Sequence, residues 1–303
     1  MTGVAVEQAG NSLRGIACML VAGFFLTAND SITKWLVPHY PVGEILFLQG
    51  TLIALLVATW MRLRGEHPLR IVRWRSHLYR GLLYASGSFA FVFALRYLPL
   101  AEVIAIAFAG PLFMTLFGKL FLGEHVGIHR LGAVVIGFVG ILVVMRPGSE
   151  AMHWAAVLPL IVALADAFRD LITRRLTRDE SSLRIIFTTA SILALAGGAT
   201  AAWGWNEIRA ADILWFGLSA ICFVIAHFFM VEAFRYAQVV VVAPFRYFII
   251  VWATLSGFLF WGEMPDRLVF VGVAIIVAAG VYIGLREAHA GRATRAIQPP
   301  LGH

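Results

Sequence analysis

Asn29-Asp30-Ser31-Ile32-Thr33-Lys34-Trp35-Leu36 returns 140 positions later as Arg169-Asp170-Leu171-Ile172-Thr173-Arg174-Arg175-Leu176. Asp, Ile, Thr and Leu are identical, and Lys34 becomes Arg174. Each copy closes a long apolar run. A carboxylate inside such a run is costly, so its repetition calls for a reason. Two readings follow. The chain is a duplicated membrane domain, and its interior charges are the place to look for function.

Composition agrees. Of 303 residues, 60% are hydrophobic and only 14% charged, whereas a soluble domain has roughly 25% charged residues. Apolar runs of about 20 residues recur along the chain, each long enough to cross a ~30 Å hydrocarbon core. The net charge of +7, from 24 Lys+Arg against 17 Asp+Glu, reads as cytoplasmic loops rather than nucleic-acid binding. Cys18 and Cys222 lie within apolar runs and imply neither a disulfide framework nor a metal site. The first apolar run is too long for the core of a cleaved signal peptide.

Taken in order, the chain starts with a short polar tail, 1–14. Span 1 is expected over 15–37, span 2 over 41–61 after the turn Pro38-His39-Tyr40-Pro41, span 3 over 79–97, span 4 over 101–121 and span 5 over 128–145. Arg146-Pro147-Gly148 breaks the chain there. The second half predicts spans at 154–176, 182–203, 212–235, 239–260 and 267–285, with a disordered tail from Arg286. The expected fold is therefore all-α and membrane-embedded: ten helices in two five-helix repeats, 15–148 and 154–287, with a link at 149–153 and a second tail at 288–303.

The duplication extends well beyond the opening stretch. Ala94-Leu95-Arg96-Tyr97 matches Ala233-Phe234-Arg235-Tyr236 at a shift of 139, and Gly118 through Glu124 matches Gly257 through Glu263 at the same shift. Gly132, Gly140 and Arg146 match Gly272, Gly280 and Arg286 at 140. Five helices is an odd number, so the second repeat must enter from the opposite side of the membrane. Its charges agree: the loop 62–80 carries six arginines, while its counterpart 203–212 carries only Arg209. Placing both termini in the cytoplasm puts 17 of the 24 basic residues on that side. Inverted repeats are typical of secondary transporters, whose binding site lies between the halves near mid-membrane.

Ala94-Leu95-Arg96-Tyr97-Leu98-Pro99-Leu100-Ala101-Glu102, continuing through Pro111 to Gly123-Glu124, Gly132 and Gly140, resembles the EamA module of the drug/metabolite transporter superfamily. The resemblance covers roughly 15–287 and includes both copies. It implies a ten-helix bacterial inner-membrane carrier whose cavity is formed mainly by the first four helices of each repeat. The cargo it implies is an amino acid, a nucleotide-like metabolite, a vitamin or a toxic compound. Gln49 departs from the family, because many members carry Arg there. Pro111 aligns with Ile250, and the second copy instead has Pro244, six positions earlier in register. The fourth helices of the two halves are thus expected to break at different depths.

Helix rise places the candidate substrate-binding residues. Asp166, Arg169 and Asp170 in span 6, His227 in span 8 and Arg246 in span 9 all fall ~9–15 Å from one membrane surface. Their charges either neutralise one another or leave Arg246 to bind a carboxylate or phosphate on the cargo, with Asp170 as its partner when the site is empty. Tyr247 and Trp252 offer stacking faces for a planar cargo, against the alternative of core packing. Tyr84, Ser86 and Ser88 in span 3 are milder cavity candidates. Asp30 and Lys34 are candidates for gating or coupling: either an i,i+4 ion pair or, for Asp30, a titrating group in the outer vestibule. His125 and His129 lack further ligands, and no metal or cofactor is expected. Small residues at Ala133/Gly137, Ala274/Ala278 and Gly280/Gly284 fit packing within the monomer or a homodimer seam through spans 5 and 10.

The function these readings favour is a secondary transporter that moves a small polar or partly aromatic metabolite by alternating access, with a proton or ion as coupling partner. Uptake of a riboflavin-like vitamin, uptake of an S-adenosylmethionine-like compound and amino-acid export all fit. The alternative is an integral-membrane enzyme acting on a lipid-linked substrate, for which no loop supplies a cluster of His, Asp or Ser.

Overall fold

Proline and glycine set the ends of the helices. Pro41 and Pro99 sit just before α2 (Val42–Leu63) and α4 (Leu100–Ala107) in extended conformations. A left-handed Arg146 ends α6 (Ile128–Met145), and Gly262 at φ 69° ends α11 (Phe248–Trp261). Between these lie α1 (Thr2–Leu36), α3 (Trp74–Ala94), α5 (Gly110–Leu122), α7 (Val157–Leu176), α8 (Ser182–Gly198), α9 (Ala210–Tyr236), α10 (Val239–Val242) and α12 (Arg267–Ile297). This computed structural model describes residues 2–67, 73–122, 127–147, 153–176, 181–237 and 239–297. Residues 149–152 of the link, Gly123-Glu124, Arg70, His125 and Arg178 lie outside the described residues.

The chain is all-α, with no strand among the described residues. It makes ten spans, two of them broken: α4 and α5 form the fourth, α10 and α11 the ninth. One expectation about the ends is corrected: α12 continues past Arg286 to Ile297, so the tail expected to be disordered is helical there, and α1 likewise begins at Thr2, within the polar tail. Local helix propensity carries these helices beyond the apolar window that the reading used: the α12 extension holds four alanines, Ala288, Ala290, Ala293 and Ala296.

Helix pairing shows the internal symmetry. α1 packs on α9, and its counterpart α7 packs on α3; likewise α1 meets α11 while α7 meets α5. The self-matched pairs are α2 with α8 and α6 with α12, and the fourth and ninth spans meet each other through α4 and α11. Exchanging each span for its counterpart therefore returns the same main neighbours. In lipid, close packing rather than the hydrophobic effect draws helices together. The α6–α12 crossing shows this: a Cβ on Gly272 would come 2.7 Å from the Gly140 carbonyl oxygen, so only glycine allows the backbones to approach so closely. The same crossing places Gly140 inside the monomer, while Ala274 and Ala278 face outward.

Composition also separates two helices from the rest. α1 from Asn11, α2, the α4–α5 stretch, α8 with its 3₁₀ extension and α9 are long and apolar enough to cross a membrane; shorter apolar helices occur in α6, α11 and α12. α3 and α7 belong to neither group. They carry Arg80 on one side and Asp166, Arg169 and Asp170 on the other, and they pack on each other. Charges that would be costly against lipid are thereby turned toward protein and cavity.

Candidate functional site

A cavity of about 670 Å³ lies between the two repeats, within the size range of small-molecule sites. Both broken spans border it. Pro111 lacks the N–H that would join α5 to α4, and Phe108-Ala109 forms a turn, with the Ala109 amide donating to the Ile106 carbonyl at 3.0 Å. In the ninth span the break is a 3₁₀ segment, Ala243–Tyr247, with Pro244 near its start. Irregular backbone at membrane depth is tolerated where it lines a cavity. At the shift of 139, Phe108 and Tyr247 are counterparts, and their rings meet across the breaks at 5.0 Å. The breaks expected at different depths thus overlap: the second spans more residues but ends at the counterpart of the first.

α7 supplies the charged wall. Arg169 Nη1 lies 2.7 Å from Asp166 Oδ1, and its Nη2 lies 3.0 Å from Asp170 Oδ1. Its guanidinium sits 5.7 Å over the Tyr84 ring. Arg80 of α3 donates through Nε to Thr173 at 2.8 Å and through Nη1 to Thr189. Opposite, α1 and α2 supply a neutral wall. Gln49 donates to Thr33 at 2.7 Å and to Ser219 at 2.6 Å, and Ser219 donates to Asn29 at 2.7 Å.

Of the expected site residues, Asp30, Tyr84, Asp166, Arg169, Asp170, Arg246 and Tyr247 line this one cavity, as does Ser88. Ser86 instead faces outward. Asp170 is held by Arg169, not by Arg246. Among the described residues Arg246 makes no hydrogen bond or ion pair and is exposed toward the cavity. The expected Arg246–Asp170 pair is therefore corrected: an arginine one residue away on the same helix outcompetes one on another span. His227 lies behind the lining, with Nδ1 2.9 Å from the Phe223 carbonyl oxygen and its ring stacked on Phe223 at 4.0 Å. Trp252 packs edge-on against Phe24 at 5.5 Å and does not border the cavity.

Lys34 corrects a second expectation. It does not pair with Asp30. Its Nζ lies 2.5 Å from Glu263 Oε1 and donates to the Leu98 carbonyl at 3.3 Å. Lys34 sits in the last turn of α1, where the helix dipole favours a cation, and its stem carries the charge toward the near end of the bundle. Asp30 points into the cavity instead. At the Lys34 end, Arg146 also pairs with Asp266 at 2.8 Å, which holds that carboxyl below the usual carboxylate range. Tyr40 donates to Asp212 at 2.7 Å and accepts from the Arg209 amide at 3.1 Å. None of these groups borders the cavity, whose lining runs the other way to Leu171 and Leu285. The molecule is closed at the Lys34 end. Among the described residues no cluster of His, Cys, Asp or Glu suits a metal ion.

Sequence reasoning missed Gln49, Ser219 and Arg80 as members of the two walls, Phe108 as the partner of Tyr247, and Glu263 as the partner of Lys34. The repeat itself held a signal for most of them. Thr33, Gln49 and Ser219 are the counterparts of Thr173, Thr189 and Arg80 at shifts of 140, 140 and 139.

The duplicated helices and the central cavity have a match among known families. A family model described as the EamA-like transporter family matches residues 13–146 and again 153–285. The chain belongs to this family. It is a multi-pass membrane transporter of a small metabolite, and the lipid-enzyme alternative gives way. A riboflavin transporter of Rhizobium johnstonii is 30% identical over 290 residues, covering 94% of this chain and 95% of that one. An S-adenosylmethionine uptake transporter of Rickettsia felis is 25% identical, covering 89% and 92%. A pseudopaline exporter of Pseudomonas aeruginosa is 28% identical, covering 88% and 94%. A solved crystal structure with 18% identity matches with a TM-score of 0.61 over 93% of this chain and 98% of that one, which shows the shared fold.

Proposed function

We propose that this transporter carries a flat, partly aromatic metabolite bearing an anionic or strongly hydrogen-bonding group, and that uptake of a riboflavin-like vitamin is its activity. The observation that carries the reading is Arg246. Its guanidinium faces the cavity without a hydrogen-bond or ion-pair partner among the described residues, and Tyr247 and Phe108 stand beside it as aromatic surfaces. A planar fork with free donors suits a carboxylate, phosphate or imide edge. The relative named for riboflavin supports this choice; those named for S-adenosylmethionine and pseudopaline make a nucleoside-like cation and an amino-acid-like compound the alternatives.

Arginine asymmetry supports placing both termini in the cytoplasm of a bacterial inner membrane. With that orientation the closed Lys34 end is periplasmic, and the cavity belongs to an inward-facing state of an alternating-access cycle. Ala274 and Ala278, on the outer face of α12, leave a homodimer through spans 5 and 10 open as a further part of the proposal.

The test is riboflavin counterflow in vesicles reconstituted with the purified protein. Saturable counterflow is expected. Arg246→Lys should retain the melting temperature but lose roughly tenfold or more in counterflow, the effect of one hydrogen bond to a charged group at ~1.5–3 kcal/mol. No saturable riboflavin flux, together with flux of S-adenosylmethionine, would transfer the reading to the second cargo. Normal riboflavin flux in Arg246→Lys would remove Arg246 from the site.

A further inference from the structure

The repeat makes Asp30 and Asp170 counterparts, and both border the same cavity. Their neighbours differ at one position. Asp170 follows Arg169, whose Nη2 lies 3.0 Å from its carboxylate. Asp30 follows Asn29, whose amide donates to it at 3.0 Å. One carboxylate has a cation built into the chain, and the other has a neutral amide in the same place.

The other groups around Asp30 do not make up the difference. α3 presents Tyr84, which is within electrostatic reach of Asp30 on one side and of Asp166 and Arg169 of α7 on the other. α9 presents Ser219, engaged with Asn29, and His227, which is turned to its own helix. From the 3₁₀ segment come Arg246 and Tyr247, and Arg246 lies within reach of Asp166. α11 contributes Ser256, bonded to Ser31 at 2.5 Å, and α4 contributes Glu102, which lies with Lys34 and Glu263 at the closed end. Among the described residues no Lys, Arg or His forms an ion pair with Asp30. A carboxylate inside a membrane protein normally has a partner or a bound cation.

We infer that Asp30 takes a small exogenous cation from the cavity, in the place that Arg169 fills for Asp170. A proton and an alkali ion are the two sources of that charge. Either one makes the cavity's first-repeat wall electrically complete and gives the transporter an ion to couple to its cargo. The inference rests on reading the cavity as the transport site, but the charge imbalance it addresses is present without cargo.

The experiment is labelling of the purified, vesicle-embedded protein with dicyclohexylcarbodiimide, which modifies protonated carboxyl groups in apolar surroundings. Mass spectrometry of the peptides then locates the adducts. Labelling of Asp30 should exceed that of Asp170 by roughly tenfold or more, which corresponds to about 1.4 kcal/mol. If labelling falls as pH rises and ignores sodium chloride, the cation is a proton. If sodium suppresses it at constant pH where potassium does not, the cation is the alkali ion. Asn29→Arg, which supplies the missing cation from within, should abolish the adduct in protein that remains monodisperse. Equal labelling of Asp30 and Asp170, or Asp30 labelling that responds to neither pH nor sodium, overturns the inference. The comparison of the two aspartates needs only the wild-type chain, so it stands even if Asn29→Arg does not fold. No cargo is added, so loss of this result leaves the riboflavin reading intact, and failed riboflavin counterflow leaves this result intact.

Discussion

The two walls of the cavity are the same arrangement built with different chemistry. In the first, Gln49 of α2 bridges Thr33 and Ser219, and Asn29 completes the set. In the second, Arg80 of α3 bridges Thr173 and Thr189, the counterparts of Thr33 and Gln49, and Arg169 stands where Asn29 stood. Even a small detail repeats: Thr33 donates to the Asn29 carbonyl at 2.9 Å and Thr173 to the Arg169 carbonyl at 2.8 Å. The difference follows hydration. Asn29, Thr33, Gln49 and Ser219 are all buried, toward the closed end. Arg80, Arg169 and Thr173 are half-buried, toward the open end, and of the second wall's four members only Thr189 is buried. A dry junction holds neutral groups because an ion stripped of water must be fully repaid by partners. A junction at the cavity mouth keeps enough water to hold guanidinium groups.

Removing the centre of the charged wall should have the largest effect. Arg169→Leu leaves Asp166 and Asp170 facing each other without their cation. The expected destabilisation is ~3 kcal/mol, the low end for breaking a buried pair, because both carboxylates keep some contact with water. Thermal unfolding in detergent should show it. A melting temperature unchanged from wild type would mean that the charged wall contributes no more than a surface ion pair.

Gln49→Ala in the neutral wall should cost less, ~1 kcal/mol for each hydrogen bond lost without an orphaned charge. Measured in the same detergent, its loss should be clearly smaller than that of Arg169→Leu. If the order reverses, hydration does not explain the difference between the walls.

The smallest effect belongs to the partly exposed Arg146–Asp266 pair at the closed end. Arg146 holds the Asp266 carboxyl below its usual range. A depressed carboxylate favours the folded state above the unfolded-chain value of ~3.9, and this contribution fades as pH falls through the lower folded value. The melting temperature of wild type should therefore drop slightly more than that of Asp266→Asn as the medium is acidified below that range. Parallel curves for the two proteins would show that the pair adds nothing to closure.

Sequence and structure divide along a physical line. Span positions, the duplication, the two breaks and the charged layer of α7 were legible because each depends on residues close together in the chain. The shift of 140 even contained the pairing of Asp30 with Asp170 and of Thr33 with Thr173. Charge partnership across the bundle was not legible. Lys34 has an acid four residues away, yet it pairs with Glu263, whose distance in sequence gives no hint of contact. Arg246 and Asp170 share a layer, yet Arg169 reaches the carboxylate first. Depth along a helix follows from counting residues, whereas the direction a long side chain takes is set by the neighbouring helix. Only packing decides which of several charges at one depth meet, and which, like Asp30 and Arg246, are left facing the cavity.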